Sequence, residues 1–243
     1  MHRGFRLFNE YGKDKIMSFS KEWELIYKTN QHISVWPWSD LVSVFILRYQ
    51  RLLKQGRSKS SIKVLELGCG AGANVPLFKE LGVAYTGIDG SESMISKLKH
   101  KHPKLNFICA DFTKNNLPGK EYDFIIDRAS LTHNDSISII RCLGNCYNLL
   151  NNGGYFIGID WFSQKHFAFK YGEFIDPFTK SSKTEGIFAG LGNVHFSTES
   201  HLRDLFKKFY IEELSHKLIE HKGPITRHGT KLGSYQIISI KYD

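Results

Sequence analysis

A chain of 243 residues, 41% hydrophobic and 23% charged, has room for one large α/β domain or two small ones, which excludes a wholly disordered chain and a disulfide-stapled miniprotein. It has no apolar run of about 18 residues to cross a membrane. There is no secretory signal pattern, and four cysteines make no disulfide framework, so a cytoplasmic setting is expected. The net charge of +9 is uneven: residues 1–60 carry 11 basic and 5 acidic side chains, residues 61–160 carry 10 and 10, and residues 161–243 carry 12 and 9. That is not the dense basic stripe of a nucleic-acid module.

In chain order, Ser34-Val35-Trp36-Pro37-Trp38 precedes a helical pattern from Ser39 to Leu53. Ile62 to Leu67 reads as a buried strand that stops at Gly68-Cys69-Gly70-Ala71-Gly72. A helix with Val75, Leu77, Phe78 and Leu81 follows, with Pro76 near its start and Gly82 past its end. A second strand, Val83 to Ile88, ends on Asp89, and Ser91 opens a helix with Met94, Ile95 and Leu98 on one face. Leu105 to Ala110 is a third strand ending on Asp111, and Tyr122 to Asp127 a fourth. Ser136 to Leu150 is a helix, Asn151 to Gly154 a turn, and Tyr155 to Ile159 a fifth strand.

The chain closes with a helix from Thr198 to Phe209 and strands from Tyr210 to Ser215 and Ser234 to Tyr242. Strands separated by helices predict an α/β fold, a doubly wound Rossmann-like sheet that is mostly parallel. Residues 1–60 read as an N-terminal helical cap and residues 61–243 as the main domain. Within it, residues 160–196 form an insertion crowded with Phe162, Phe167, Phe169, Tyr171, Phe174 and Phe178, expected to cover a substrate.

Gly68, Gly70 and Gly72 sit where a strand turns into a helix, so the backbone can approach a ligand closely and offer free N–H groups. Asp89 ends the next strand, where a carboxylate can accept both hydroxyls of a ribose. Asp111 is placed to meet an adenine amine, with Phe112 to pack on the ring. The glycine turn also satisfies the dinucleotide pattern G-x-G-x-x-A, which leaves a nicotinamide-dependent oxidoreductase as a rival. Glu66, two residues before the first glycine, suits a cationic amino-acid ligand better than a pyrophosphate.

The succession VLELGCGAGANVPLF, YTGIDGSESMI, FICADFTK, YDFIIDRASLTH and LLNNGGYFIG resembles the class I S-adenosylmethionine-dependent methyltransferases over roughly residues 60–160. The resemblance implies a seven-stranded sheet whose last strand is antiparallel. It implies that Gly68, Gly70 and Gly72 flank the methionine part of S-adenosylmethionine, Asp89 holds the ribose, and Asp111 with Phe112 holds the adenine. Glu66, Cys69, Asn74, Gly90, Ser91, Asp127 and Trp36 complete the expected cofactor-binding set.

On the acceptor side, Asp127 to His133 is not the N/D-P-P-Y/F motif used on planar amide or base nitrogens, which turns the reading away from a DNA-base or glutamine substrate. His133 is the first candidate base, with helix capping as its alternative. Arg128 either clamps an anionic group of the acceptor or forms an internal ion pair. His195 is a further candidate base. The Trp36-Pro37-Trp38-Ser39 element is either a wall over the methyl donor or core packing. The run from Gln31 to Val42 is similar to the N-terminal element of bacterial methyltransferases of surface-polysaccharide pathways. Cys142 and Cys146, one helical turn apart, read as packing, and no metal site is expected. Arg227 and His228 sit in a turn-rich loop before the last strand.

The leading expectation is methylation of a hydroxyl on a sugar-like or anionic small molecule, carrying a phosphate or carboxylate. The excess charge, lying outside the neutral core, is expected to frame that acceptor. An RNA methyltransferase and an inactive S-adenosylmethionine-binding protein are the alternatives.

Overall fold

The computed structural model describes residues 21–29, 34–114, 117, 119–222 and 231–242. Expectations on residues 1–16, on Gln31 to Ile33, and on Arg227 and His228 lie outside the described residues. A short helix α1 (Lys21–Lys28), not anticipated from the sequence, is followed by α2 (Ser39–Lys54). The central unit alternates β1 (Lys63–Leu67), α3 (Val75–Leu81), β2 (Ala84–Asp89), α4 (Glu92–Lys101), β3 (Asn106–Cys109), β4 (Tyr122–Arg128), α5 (Ser136–Leu149) and β5 (Leu150–Phe162).

An insertion then supplies β6 (Glu173–Asp176), β7 (Thr179–Ser181) and β8 (Asn193–His195). The chain ends in α6 (Glu199–Leu205), β9 (Tyr210–Glu220) and β10 (Lys231–Ile240). Seven strands form one sheet in the order β3-β2-β1-β4-β5-β10-β9. Neighbours from β3 through β5 pair in parallel, and β10 is antiparallel to both β5 and β9. This is the expected seven-stranded Rossmann-like sheet with its last strand reversed.

Burial explains the layering. Side chains of β1 alternate between the two faces: Val64 packs with Phe45, Phe78, Leu98 and Phe124, while Leu65 and Leu67 pack with Ile139, Leu143, Phe156 and Phe206. Helices α2, α3 and α4 therefore cover one face and α5 and α6 the other, which is why the central strands are apolar without alternation. Cys142 and Cys146 are fully buried on the second face, as packing residues. No described helix is long and apolar enough to cross a membrane.

Several elements differ from their expected extents, among them β9, which runs on to Glu220 instead of ending at Ser215. The Asn151-to-Gly154 turn is absorbed into β5, because Gly153 N–H donates to Lys241 and Gly154 O accepts from Lys241. Helix α6 is shorter than its amphipathic pattern, running from its Thr198 cap to Leu205. The insertion is a folded three-stranded antiparallel sheet with its own small core of Ala168, Val194 and Phe196.

One long-range tie joins the N-terminal region to the far sheet edge. Arg48 of α2, 3% exposed, donates from Nη2 to Glu212 at 2.6 Å and to Glu213 at 3.1 Å, both on β9. Without Arg48, Glu212 keeps Arg51 as its partner and Glu213 faces solvent, so the loss is that of the charge-assisted hydrogen bonds from Arg48. Arg48→Ala is expected to lower stability by about 2 kcal/mol, read as an earlier midpoint in urea unfolding; an unchanged midpoint would show that this tie is idle.

Candidate functional site

The strand order reverses between β1 and β4, and ligands in open α/β sheets bind outside the carboxyl ends of strands at such a reversal. A cleft of about 810 Å³ opens there, lined from the ends of β1, β2, β3 and β4, from α1, and from the insertion. Its floor is the turn after β1. Gly68 and Gly70 have φ of +64° and +50°, a left-handed backbone that favours glycine. A Cβ on Gly68 would lie 2.3 Å from Cβ of Ser130, so the turn can press against the end of β4 only without a side chain.

Three acids shape one half of the cleft. Asp89 Oδ2 accepts from Gly70 N–H at 2.8 Å and Oδ1 from Ser91 N–H at 2.8 Å, so this one carboxylate fixes both the glycine turn and the start of α4. Burial pushes its carboxyl above the usual range, and the nearby Glu24 adds to this. Glu66 accepts from the Asn74 amide at 2.7 Å and from the Tyr85 hydroxyl at 2.5 Å. Burial pushes Glu66 up to about 7, with repulsion from Asp89 and Asp127 in the same direction. Asn74 in turn accepts from Trp38 N–H at 3.3 Å, linking this half of the cleft to the opposite wall. Asp111 Oδ1 accepts from Thr113 N–H and hydroxyl, while Oδ2 is buried with no hydrogen-bond partner, the Lys114 ammonium standing 3.9 Å away.

The other half carries the basic groups. Arg128 donates to Asp160 at 2.7 Å and its guanidinium lies 3.5 Å over the Trp38 ring. Asp160, at φ +55°, is itself held by the Ser234 hydroxyl at 3.2 Å. His133 sits in a 3₁₀ turn, Leu131–His133, whose start is pinned by Asp127 Oδ1 accepting from Leu131 N–H at 2.9 Å. The imidazole meets the rings of Trp23, Phe162 and Phe188 edge-on at 5.0, 6.0 and 6.1 Å. Helix α1 closes over both halves. Tyr27 hydroxyl lies 2.9 Å from the point a Gly70 Cβ would occupy, and the Glu24 carboxylate accepts from the Ser91 hydroxyl.

Of the residues singled out from the sequence, Glu66, Gly68, Cys69, Gly70, Asn74, Asp89, Gly90, Asp111, Phe112, Arg128 and His133 line this one cleft. The others are placed elsewhere. Gly72 faces Leu98 and Val75 of the packed helices. Ser91 is fully buried and caps α4 through Met94 N–H. Asp127 is fully buried and spends Oδ1 on Ser130 and Leu131, so it supports the turn rather than facing the cleft. Trp36 is 75% exposed and outside the cleft; Trp38 lines it instead. His195 is sealed between the Thr179 hydroxyl at 2.9 Å and the His201 imidazole at 3.1 Å. Burial holds it down to about 3, and it reaches no ligand space, which removes it as a base.

Trp23, Tyr27, Ile187, Phe188 and Leu191 also line the cleft and were not foreseen. Glu22 and Trp23 open an amphipathic run, Lys21-Glu22-Trp23-Glu24-Leu25-Ile26-Tyr27-Lys28, whose helical spacing was the available signal. Among the described residues no group of three or more potential ligands stands ready for a metal ion.

Residues 64–154 match the methyltransferase domain family. Over 111 residues the chain is 26% identical to a ubiquinone biosynthesis O-methyltransferase of Bradyrhizobium sp., covering 44% of this chain and 43% of that protein, so it spans under half the relative's length. A methyltransferase from Methanosarcina mazei, dependent on S-adenosylmethionine, is similar in structure at TM-score 0.60 and 21% identity, over 79% of this chain and 97% of that one. The 1,6-didemethyltoxoflavin N1-methyltransferase of Burkholderia thailandensis, solved with its acceptor and S-adenosylhomocysteine, is similar at TM-score 0.58 and 14% identity, over 97% of this chain and 94% of that one. At these identities the structural likenesses show the fold.

The raised carboxyl of Glu66 has a measurable consequence. Its ordinary value is 4.5 and its folded value about 7, so within that window the folded chain holds a proton that the unfolded chain has released. Stability of the ligand-free protein therefore falls as pH rises through the window. Glu66→Gln is expected to flatten that slope and to be more stable than wild type above about pH 7, by up to about 3 kcal/mol. Urea unfolding across the pH range checks this, and a wild-type profile without the fall would contradict it.

Proposed function

From the premise that the chain belongs to the class I S-adenosylmethionine-dependent methyltransferases, with S-adenosylmethionine as its cofactor, we propose that it methylates a hydroxyl of a small anionic acceptor held between His133 and Arg128. The observation that carries this reading is the division of one cleft. Glu66, Asp89 and Asp111 line one half, while Arg128 and His133 are the basic side chains among the described residues lining the cleft, and both stand in the other half.

The acidic half fits the cofactor. Burial, aided by repulsion from neighbouring carboxylates, pushes Glu66 and Asp89 toward protonation, and a ligand bearing an ammonium and a sulfonium would relieve both. In this reading Glu66, Gly68, Cys69, Gly70 and Asn74 surround the amino-acid portion, and Asp89 with Gly90 the ribose. Asp111 meets the adenine amine, with Phe112 against the ring, both lining the cleft. Gly72, Ser91 and Asp127 act one step back, by fixing the turn, α4 and the 3₁₀ turn.

When bound, S-adenosylmethionine supplies an activated methyl group: the acceptor oxygen forms the new C–O bond as the S–CH₃ bond breaks, and that electron pair stays on sulfur. The chain's own work is then to orient and to deprotonate. His133 takes the hydroxyl proton and releases it to solvent. Arg128, immobilised on Trp38 by Asp160, fixes the acceptor's anionic group. Helix α1 and residues 187–191 cover the cleft and exclude water. The segment before residue 61 and the insertion at 160–196 thus serve as caps on the catalytic unit of residues 61–243.

Asp89→Ala is expected to weaken S-adenosylmethionine binding by about 10- to 100-fold, through loss of charge-assisted hydrogen bonds. Calorimetry measures this, and equal affinity would sink the ribose assignment. His133→Ala should slow turnover by about 100-fold or more and remove the acidic limb of the pH–rate profile, with cofactor affinity unchanged. Full activity at every pH would show that the imidazole takes no proton.

A further inference from the structure

We infer that the acceptor is a planar aromatic acid, a hydroxylated ring bearing a carboxylate, rather than a sugar; this rests on the reading of the cleft given above. The acceptor half is walled by rings and aliphatic groups. Phe162 and Phe188 lie 4.7 Å apart and both stand edge-on to His133, with Ile187 and Leu191 beside them. Rings arranged edge-on in this way leave faces and edges to which another flat ring can add.

The polar groups of this half are mostly committed. The Asn134 amide donates to Ser130 O and Leu131 O, both at 3.2 Å. Ser34 hydroxyl turns to Trp36 O at 3.4 Å. A sugar ring would carry several hydroxyls into a wall of Phe162, Phe188, Ile187 and Leu191 that cannot pair with them, and each unpaired hydroxyl would be desolvated at a loss. An aromatic ring carries no such burden.

Arg128 supplies the reason for the acid. Its Nη2 is engaged by Asp160, while the guanidinium, lying on the Trp38 ring, lines the cleft. A guanidinium stacked on Trp38 and held from behind recognises a planar carboxylate. Apart from Asp160, which holds Nη2, no carboxylate among the described residues lines the acceptor half of the cleft. The ring walls and this oriented guanidinium together select flatness and one negative charge, with the hydroxyl left toward His133.

The test is a binding titration of the full chain, by tryptophan fluorescence quenching and calorimetry, with and without S-adenosylhomocysteine. The probes are 3,4-dihydroxybenzoate and 1-hydroxy-2-naphthoate, against cyclohexanecarboxylate, glucuronate and glucose 6-phosphate. The aromatic acids are expected to bind at least about tenfold more tightly than the three non-aromatic probes, and Phe188→Ala to reduce that preference. Arg128→Leu should weaken the aromatic acids by about tenfold while affinity for S-adenosylhomocysteine stays unchanged. Glucuronate or glucose 6-phosphate binding as tightly as the aromatic acids, or no aromatic acid binding in either condition, overturns the proposal. Failure of the methyltransferase reading shows separately, as absence of S-adenosylhomocysteine binding by the wild-type chain.

Discussion

Carboxylates buried at one end of a parallel sheet are the constraint around which this molecule is arranged. Glu66, Asp89 and Asp127 are all within a few per cent of full burial at the ends of β1, β2 and β4. Such groups are tolerated only when hydrogen-bonded, and here each one organises a loop in return. Asp89 draws in the N–H groups of Gly70 and Ser91, Asp127 those of Ser130 and Leu131, and Glu66 the side chains of Asn74 and Tyr85. The loops that shape the cofactor half are therefore held by the same charges that a cationic ligand neutralises. Burial leaves Glu66 and Asp89 with raised carboxyls in the ligand-free protein, a cost that a bound cation offsets.

The acceptor half is built on a different plan. Its groups come from segments distant in sequence, brought together by the sheet. Trp38 enters ahead of α2, Arg128 and His133 follow β4, and Phe162 with residues 187–191 belong to the insertion and its approach. The insertion is fastened to the core through Asp176, which accepts from Ser136 N–H and hydroxyl at the start of α5. The buried Thr179–His195–His201 chain fixes it from the side of α6. His195 thus serves the site by holding the cover in place, without touching a ligand.

The cofactor half was legible in the sequence because its geometry is local. A strand, a glycine turn and a helix follow one another without interruption, so Gly68, Gly70 and Asp89 fall at the correct edge once the alternation is read. The same logic overreached where a residue near the motif faces inward: Gly72, Ser91 and Asp127 share the neighbourhood but spend themselves on packing and capping. The acceptor half was legible only in fragments. A tryptophan pair flanking Pro37 signals a rigid aromatic element, but which ring turns inward depends on the entry into α2, where Trp38 N–H meets Asn74. Phe188 and Leu191 gave no periodic signal, because a glycine-rich turn and not a helix or strand presents them.

The positive charge acquires a more restricted meaning from these contacts. Basic residues of the N-terminal region are engaged away from the cleft: Arg48 and Arg51 with Glu212, and Arg57 with Asp123. Lys217 of β9 likewise pairs with Asp40. These pairs tie the cap and the far sheet edge to the core, and exposed ones among them contribute little individually. Among the described residues these basic groups form no positive face around the cleft. A single guanidinium meets the ligand space, and its reach is set by Trp38 beneath it and Asp160 behind it. Recognition by one oriented fork selects by shape as well as sign, whereas a diffuse basic surface would select by sign alone. On the proposed reading, the acceptor presents one planar anionic group in register with its reacting oxygen, and net charge gives no guide to that requirement.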